Sequence, residues 1–300
     1  MKKAIHPDGP KLSVLSAGMW RLHEWNFSNS DLIRFIEECI DAGVTTFDHA
    51  DIYGNYGNEA LFGLALKEKP ELIDKIQIVT KCGICLPQSG IPDYTIQHYN
   101  TGEEHIRKSV EKSLKNLHVE QIDLLLIHRP DPLMDASEMA NTFRKLISEG
   151  KIKYAGVSNF NPSQFDLLQS VMDEPLVTNQ VECSVLHTDA LFDGTFDQAQ
   201  KHNASPMIWS PFGGGRLFTD HHSDATRRVR QLLEELCGKY DASMDQLAIA
   251  WLMALPCNPF PVLGTGKTDR IQSAVDALSI QLERQDWFRI LEASRGYPVP

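Results

Sequence analysis

The sequence has no run of 18 or more consecutive apolar residues, so it predicts no transmembrane helix. Its N-terminus starts with basic residues, but no apolar segment or small-residue cleavage site follows, and it does not resemble a secretory signal. Cysteine is scarce as well, with six residues in 300. Because these six are spread along the chain, they do not suggest a disulfide framework. These absences predict a cytoplasmic protein.

Positive charge is also in short supply. Lys and Arg number 29 against 40 Asp and Glu, for a formal net charge of -11. Proteins that bind nucleic acid or an anionic membrane present a basic face, so neither partner is expected. Hydrophobic residues make up 42% and charged residues 23%, as in globular proteins with a sizeable core. A local basic pocket for one anionic small molecule is compatible with this overall charge.

Short apolar runs alternate with amphipathic runs along nearly the whole chain. The apolar runs predict eight strands, at Ser13–Trp20, Thr45–Asp48, Ile76–Lys81, Ile122–His128, Ile152–Ser158, Val177–Val181, Met207–Ser210 and Phe260–Leu263. Helical periodicity predicts helices at Ser30–Ala42, from the Thr101 region to Leu117, and at Ala136–Glu149, Pro162–Val171, Phe192–Lys201, Arg227–Tyr240, Met244–Ala254 and Arg270–Leu278. About eight such repeats without a linker predict one (β/α)8 barrel domain over residues 1–300.

An open doubly wound sheet is the alternative fold. That fold usually carries Gly-x-Gly-x-x-Gly after its first strand, whereas the first predicted strand here ends in Ser16-Ala-Gly-Met-Trp20. The barrel is therefore preferred. We expect the segment Lys3–Val14 to form a small hairpin that closes the barrel bottom. The long irregular stretches Cys82–Asn100 and Pro211–Ser223 are expected to form loops at the opposite rim.

Three helix ends carry local signals. Ser30 stands before Asp31 as a candidate N-cap. Thr101 and Glu104 have the spacing of a capping box, in which two side chains cap each other's backbone N–H groups. Gly150 stands where a helix commonly ends in a left-handed residue.

Ionisable residues end three successive predicted strands. The second strand ends at Asp48, the third at Lys81 and the fourth at His128, and Tyr53 lies in the loop just after Asp48. The carboxyl ends of barrel strands share one rim, where barrel enzymes hold their active sites. We therefore expect these four side chains to lie close together.

Such a set suits the reduction of a carbonyl group. Hydride delivery to carbon builds charge on oxygen, which must receive a proton from a general acid. A phenol is a poor acid with a pKa of about 10, and a nearby ammonium lowers that pKa. Lys81 is placed to do this for Tyr53, Asp48 to keep Lys81 charged, and His128 to orient the carbonyl oxygen. Taken alone, each of these residues is more often a solvated rim residue or part of a surface ion pair than a catalytic group. The complementary set on successive strands favours catalysis.

Four segments resemble motifs of the aldo/keto reductases. Phe47–Gly54 resembles F-D-T-A-x-x-Y-G, although His49 stands where the family often has Thr. Val79–Lys81 resembles the T-K strand end, Ile122–Pro130 resembles D-L-x-x-x-H-x-P, and Gly156–Phe160 resembles G-V-S-N-F. The resemblance spans most of the chain in the correct order and spacing, and the similarity to the bacterial members is close throughout.

The resemblance implies roles for these residues. It makes Tyr53 the general acid, with Lys81 and Asp48 modulating it and His128 orienting the substrate. It also implies NADPH, bound extended across the rim of a (β/α)8 barrel without a Rossmann motif. Matching positions would hold the nicotinamide, namely Ser158, Asn159, Gln180 and Trp209.

Two loops are candidate phosphate sites. After the seventh strand, glycines allow backbone amides to approach a diphosphate, in the segment with Ser210, Gly213, Gly214, Gly215, Arg216 and Leu217. After the eighth strand, the loop contains Gly264, Thr265, Gly266, Lys267 and Arg270. Its two cations are candidate ligands of the adenosine 2′-phosphate and favour NADP over NAD, unless they only cap a surface turn. Gln272 and Ser273 replace the Glu-Asn pair by which many family members contact adenine.

Trp20, Tyr56 and Arg129 are expected to line the substrate pocket, and Trp25 falls near the same rim. Cys82 and Cys85 form a lone C-x-x-C, a candidate redox pair. A zinc site would need two further ligands, and no metal is predicted.

The sequence therefore predicts an NADPH-dependent enzyme that reduces small aldehydes or ketones to alcohols, as a monomer or weak homo-oligomer. One alternative is a regulatory or sensor subunit of the same fold with slow turnover, as in potassium-channel β subunits. The other is a phosphosugar barrel enzyme without nicotinamide, which Trp209, Ser158 and Gln180 disfavour.

Overall fold

The centre of the fold is a closed barrel of eight parallel strands. The computed structural model describes residues 2–87 and 94–300. Its strands are β1 (Lys2–Ala4), β2 (Lys11–Ser13), β3 (Ser16–Gly18), β4 (Thr46–Asp48), β5 (Gln77–Cys82), β6 (Ile84–Cys85), β7 (His98–Tyr99), β8 (Ile122–Ile127), β9 (Ile152–Ser158), β10 (Asn179–Glu182), β11 (Met207–Trp209) and β12 (Phe260–Leu263). The barrel order is β3, β4, β5, β8, β9, β10, β11 and β12, and β12 pairs with β3 to close the ring. The predicted barrel is confirmed.

Helices surround the barrel and connect its strands. They are α1 (Asn29–Asp41), α2 (Tyr53–Tyr56), α3 (Asn58–Glu68), α4 (Glu103–Leu117), α5 (Ala136–Ser148), α6 (Pro162–Gln169), α7 (Thr195–His202), α8 (Arg216–Thr219), α9 (Asp224–Tyr240), α10 (Met244–Met253), α11 (Thr268–Asp276) and α12 (Arg284–Arg295). Among the helices in residues 2–87 and 94–300, none combines the length and the apolar character needed to cross a membrane.

The sequence pattern predicts neither α3 nor α12. In α3, Phe62 and Leu66 are buried while Leu61 and Leu64 are 43% and 51% exposed. Apolar side chains therefore cover most of this helix, and its pattern lacks the polar stripe by which a surface helix is usually found. The start of α12 carries no side-chain cap, because Glu283 makes no capping hydrogen bond.

Two of the predicted helix caps are wrong. The N-cap of α1 is Ser28, not Ser30, and it forms a capping box with Asp31. At α4 the N-cap is Gly102, and Thr101 instead donates its hydroxyl proton to Asp131 across 3.2 Å. The Thr101 side chain, which the local spacing predicted to cap the helix, is therefore used in a tertiary hydrogen bond. Gly150 has the expected left-handed backbone, with φ 70°.

A hairpin closes the bottom of the barrel, as predicted. Strands β1 and β2 pair antiparallel, and the wholly buried Ile5 and Leu12 pack with side chains of the barrel interior. Because Lys11–Ser13 belongs to this hairpin, the first barrel strand is the short β3 rather than the longer run predicted from Ser13. The barrel therefore opens only at the carboxyl ends of its strands.

Two short strands lie within the stretch after β5 that the sequence predicts to be a loop. Within the stretch Cys82–Asn100, β6 pairs antiparallel with β7, although residues 88–93 lie outside the described part of the chain. The second long loop, Pro211–Ser223, includes a tight turn at Gly213–Gly215 and the short helix α8. Both loops border the open end of the barrel.

Candidate active site

The Lys81 ammonium is the centre of the site at the carboxyl ends of the strands. Lys81 is 1% exposed, and its Nζ lies 2.8 Å from Asp48 Oδ2 and 3.0 Å from the Tyr53 hydroxyl. The third donor goes to the backbone carbonyl of His49, also at 2.8 Å. Asp48 and Tyr53 therefore both contact the Lys81 nitrogen, as expected from their places at the ends of neighbouring strands and in the following loop.

A second hydrogen bond holds the Asp48 carboxylate. Gln180 donates from Nε2 to Asp48 Oδ1 across 2.8 Å, so both carboxylate oxygens are engaged. Burial would lower the pKa of Lys81, but the Asp48 carboxylate and then Tyr53 raise it above its ordinary value. Lys81 is therefore a charged ammonium at neutral pH, fixed in direction by its partners.

The Tyr53 phenol keeps its proton at neutral pH. Burial raises the pKa of Tyr53 above its usual value, and the Lys81 ammonium opposes that increase. The net direction differs from the lowering we expected from Lys81 alone, because desolvation outweighs the charge. A protonated phenol held by an ammonium is a group that can donate its proton to a developing oxyanion.

His128 faces Tyr53 as a neutral imidazole. The two rings meet edge to face with centroids 5.7 Å apart. Burial, and then the charges of Lys81 and Arg129, hold the pKa of His128 well below its usual range. A neutral imidazole beside the phenol can orient a carbonyl oxygen by hydrogen bonding without competing for the proton.

The predicted nicotinamide residues form a chain of hydrogen bonds beside Asp48. Ser158 donates to the Gln180 carbonyl oxygen, and Asn159 Nδ2 donates to Ser158 Oγ at 2.7 Å. Trp209 Nε1 donates to Asn159 Oδ1 at 3.0 Å. Asn159 has a left-handed backbone, with φ 61°, so the chain turns sharply where β9 ends. These amide and hydroxyl groups have the donors and acceptors to recognise a planar carboxamide.

The glycine loop after β11 is built from left-handed residues. Gly213, Gly214 and Gly215 have φ values of 62°, 68° and 94°, which side chains rarely tolerate. A Cβ on Gly215 would meet no atom within 4 Å, so the backbone there is open to an approaching group. Arg216 is exposed and donates to the Gly213 carbonyl, whereas Leu217 is buried beneath the loop.

The loop after β12 presents two exposed cations, Lys267 and Arg270. Within the described residues neither side chain forms an ion pair or hydrogen bond, and both lie at the start of α11. Trp25 supports this loop, because a Cβ on Gly266 would lie 2.6 Å from the indole ring. Trp25 itself packs against Phe27 and Phe35, so it is a packing residue of the loop.

The loop residues fit the chemistry of a nicotinamide dinucleotide phosphate. The amide and hydroxyl chain suits a carboxamide, the glycine loop suits a diphosphate, and the two unpaired cations suit a further phosphate. All three features border one mouth of the barrel.

The three predicted substrate residues have different environments. Trp20 is 56% exposed at the rim. Arg129 is half-buried, with its guanidinium 5.8 Å from the centroid of the Trp209 ring. Tyr56 supports the β6 loop, because its hydroxyl accepts from the Leu86 amide at 3.0 Å and lies 3.4 Å from the Ile84 carbonyl.

Sequence reasoning missed the residues that hold the rim loops in place. Asn58 is wholly buried and donates to the backbone carbonyls of Met19 and Trp20 at 2.8 and 2.9 Å. The signal was a tandem repeat, Tyr-Gly-Asn at 53–55 and again at 56–58. The first copy carries the phenol at Lys81, and the second supplies Tyr56 and Asn58 as structural supports.

His49 is a neutral buried residue behind the site. It is 0% exposed, and burial, followed by the Lys81 charge, lowers its pKa to about 3. Its ring packs edge to face on Phe62 at 4.5 Å, and its backbone carbonyl holds Lys81. His49 therefore supports the site in two ways: its ring packs against Phe62, and its backbone carbonyl accepts a hydrogen bond from Lys81.

Cys82 and Cys85 are free and buried, and burial raises the pKa of both thiols. Cys85 Sγ lies 3.8 Å from His105 Nε2. In residues 2–87 and 94–300, no group of three or more His, Cys, Asp or Glu side chains is arranged to hold a metal ion.

A closed barrel whose mouth gathers aspartate, lysine, tyrosine and histidine matches the family whose motifs the sequence resembles. The chain belongs to the aldo/keto reductase family, whose sequence model matches residues 14–295.

The relatives are oxidoreductases of similar length. Oxidoreductase YdhF of Escherichia coli is 49% identical over 297 residues, covering 99% of this chain and 98% of that protein. A 6-dehydroglucose reductase of Agrobacterium fabrum is 42% identical over 300 residues, covering 100% of both chains. A glycerol dehydrogenase structure from Gluconobacter oxydans superposes with a TM-score of 0.85 at 26% identity, covering 100% of this chain and 97% of that one.

Proposed function

We propose that the protein is an NADPH-dependent reductase of aldehydes and ketones in which Tyr53 donates the proton. The observation that carries this proposal is the contact between the Tyr53 hydroxyl and the buried Lys81 ammonium at 3.0 Å. When bound, NADPH would supply a hydride with its electron pair and be oxidised to NADP⁺. As the carbonyl carbon accepts the hydride, its π electrons move to the oxygen, which takes the Tyr53 proton to give an alcohol.

The residues around Tyr53 stabilise this proton transfer. The Lys81 ammonium favours the phenolate that remains when the proton leaves, and Asp48 keeps that ammonium charged and oriented. The neutral His128 hydrogen-bonds the carbonyl oxygen and directs it toward the phenol. Proton transfer by a positioned side chain of this kind contributes about 10²–10⁴-fold to the rate.

Three groups of residues would hold the cofactor. Ser158, Asn159 and Gln180 would bind the nicotinamide carboxamide, and Trp209 would stack on its ring. The backbone of Gly213–Gly215 would bind the diphosphate. Lys267 and Arg270 would bind the 2′-phosphate, which is the basis for proposing NADPH over NADH.

The relatives extend the proposal to hydroxylated carbonyl compounds. One relative is named for the reduction of 6-dehydroglucose and one structural neighbour for the oxidation of glycerol. A substrate screen should therefore include hydroxyaldehydes beside simple aromatic aldehydes.

Replacement of the phenol hydroxyl tests the proposal. We expect Tyr53→Phe to lower kcat for 4-nitrobenzaldehyde by about 10²–10⁴-fold, because the general acid is gone. NADPH affinity, measured by fluorescence titration, should remain, since Tyr53 is outside the residues assigned to the cofactor. The matched control is Tyr56→Phe, which removes the hydroxyl of the second Tyr-Gly-Asn copy and should leave kcat within a few-fold.

Equal turnover by Tyr53→Phe and the native protein would remove Tyr53 from its role. NADPH binding without turnover of any probe aldehyde by the native protein would instead favour a regulatory or sensor subunit.

A further inference from the structure

Arg129 is a charged residue of the site that the proposed mechanism does not use. It directly follows His128 at the carboxyl end of β8 and is half-buried. Its guanidinium lies 5.8 Å from the centroid of the Trp209 ring, so it reaches across the barrel mouth from β8 toward β11. The side chain is therefore held near the place where a substrate would meet Tyr53 and His128.

No acidic side chain of the described chain neutralises this guanidinium. Within residues 2–87 and 94–300, Arg129 forms no hydrogen bond or ion pair. Its guanidinium instead contacts the face of the Trp209 ring. The nearest acid in sequence, Asp131, accepts instead from the Thr101 hydroxyl and the Leu133 amide. Glu182, at the end of β10, lies 3.9 Å from Arg216.

The other charged groups of the site balance one another. Lys81 is paired with Asp48, and both side chains are at most 3% exposed. His128 is neutral, because burial and the adjacent cations disfavour its protonation. Beside this balanced set, Arg129 carries a positive charge that no side chain among the described residues pairs, and it has lost part of its hydration. A partly desolvated arginine without a counter-ion is costly, and an anion that binds it recovers that cost.

We propose that Arg129 is a subsite for an anionic group of the substrate, so that the preferred substrates are aldehydes or ketones that carry a carboxylate. This proposal rests on the reductase function proposed above. The planar guanidinium binds both oxygens of a carboxylate in parallel, which fixes the direction of the substrate as well as its affinity. The carboxylate is unchanged in the reaction: an oxo acid gains a hydride at carbon and a proton at oxygen, and NADPH is oxidised to NADP⁺.

The subsite also defines a place in a reaction sequence. The reaction that supplies the substrate must generate an oxo acid, and the reaction that follows must consume a hydroxy acid. Trp209 holds the Arg129 side chain at the mouth, because its ring contacts the guanidinium and its own indole N–H donates to Asn159 Oδ1.

Matched pairs of aldehydes test the proposal in the native holoenzyme. The probes are 3- and 4-formylbenzoate and the corresponding formylbenzamides, which have nearly the same shape without the charge. We expect kcat/KM, measured from the rate of NADPH oxidation, to be about 10- to 100-fold higher for the formylbenzoate that is the better substrate than for the corresponding formylbenzamide. This is the size of effect that a charge-assisted hydrogen bond produces in a partly buried site. Added NaCl should reduce this ratio, because salt screens the ion pair.

Arg129→Met then removes the charge and keeps most of the apolar stem. We expect it to lower kcat/KM about 10- to 100-fold for the acid, mainly through KM, and only a few-fold for the amide. The control is Arg284→Met, because Arg284 also lies over an aromatic ring, Phe288 at 5.6 Å, but on α12, away from the strand ends. That variant should leave the acid-to-amide ratio unchanged.

Three results would overturn the anion subsite. One is a native acid-to-amide ratio near one, which needs no variant and so decides the question even if Arg129→Met does not fold. Another is an equal loss for acid and amide in Arg129→Met. The third is a loss for neutral D-glyceraldehyde as large as that for the acid, which would assign Arg129 to hydroxyl groups. Failure of the reductase function is distinguishable, since 4-nitrobenzaldehyde would then not be reduced at all.

Discussion

At the scale of single residues, Asp51 shows how the environment changes a side chain beside the site. It is 4% exposed, accepts a hydrogen bond from Ser109 at 2.6 Å through one oxygen, and has no partner among the described residues at the other. Burial raises its pKa to about 7 from an ordinary 3.8. Its backbone N–H donates to the Lys81 carbonyl, so this protonated group is attached to β5, the strand that carries Lys81.

The raised pKa predicts a stability that falls as pH rises. The folded protein keeps a proton on Asp51 up to pH about 7, whereas the unfolded chain releases it near pH 3.8. The free energy of unfolding therefore decreases through this window, by about 2–3 kcal/mol between pH 5 and pH 8 at about 1.4 kcal/mol per unit. Asp51→Asn cannot ionise and should escape this loss.

Urea unfolding of Asp51→Asn and the native protein at pH 5 and pH 8 checks this prediction. The variant should gain about 2–3 kcal/mol relative to the native protein over that interval. Asp74→Asn at an exposed position should show no such gain. A constant difference between the two pH values would mean that Asp51 is ionised in the folded protein.

At the scale of elements, the crossing of α3 and α4 depends on one glycine. A Cβ on Gly63 would lie 1.9 Å from the carbonyl oxygen of Asn116, so the helices approach too closely for any side chain there. This contact fixes α3 behind the turn that carries Tyr53, because α3 begins at Asn58, directly after α2. Close backbone contact explains a glycine in the middle of a helix, where it is otherwise unfavourable.

We expect Gly63→Ala to lower the free energy of unfolding by about 1–3 kcal/mol, because a backbone carbonyl cannot move aside as a flexible side chain can. The matched control is Gly238→Ala in α9, where a Cβ meets no atom within 4 Å. Because this glycine is exposed, its replacement by Ala should instead raise the free energy of unfolding by about 0.5–1 kcal/mol, as in other helix interiors. Thermal and urea unfolding measure both effects, and a change of the same sign in both variants would contradict the packing argument.

At the scale of the whole molecule, the two halves of the chain contribute different parts of the site. The residues proposed for proton transfer, from Asp48 to His128, come from β4, β5 and β8 and their loops. The residues assigned to the cofactor, from Ser158 to Arg270, come from the ends of β9 to β12. Ring closure between β12 and β3, and between β8 and β9, brings the halves together. A cofactor bound to the ends of β9 to β12 would hold these four strands together and stabilise the folded barrel.

We expect NADPH to raise the thermal unfolding temperature, since a ligand at 100 times its Kd contributes about 2.7 kcal/mol to the folded state. Combining Lys267→Ala with Arg270→Ala should reduce this shift strongly for NADPH and little for NADH, which lacks the 2′-phosphate. The combination of Lys2→Ala and Lys3→Ala removes the same charge at the opposite end of the barrel and should change neither shift. If the Lys267→Ala and Arg270→Ala double variant keeps the native ratio between the unfolding-temperature shifts with NADPH and with NADH, the phosphate site is rejected.

Local sequence patterns determined the strands, most of the helices and the catalytic candidates. Buried parallel strands appear as short apolar runs, and the polar residue that ends each run is visible without any tertiary information. This is why Asp48, Lys81 and His128 were predicted together. The helix α3 escaped prediction because its apolar residues do not form one stripe.

Only the tertiary structure decided which partners these residues have. Tyr53 and Tyr56 stand in identical Tyr-Gly-Asn segments, yet one meets Lys81 and the other supports the β6 loop. The packing of Trp25 on Gly266 and the contact of Arg129 with the Trp209 ring both join residues that are far apart in the chain. Burial and pairing depend on neighbours across the barrel, and periodicity within one segment carries no information about them.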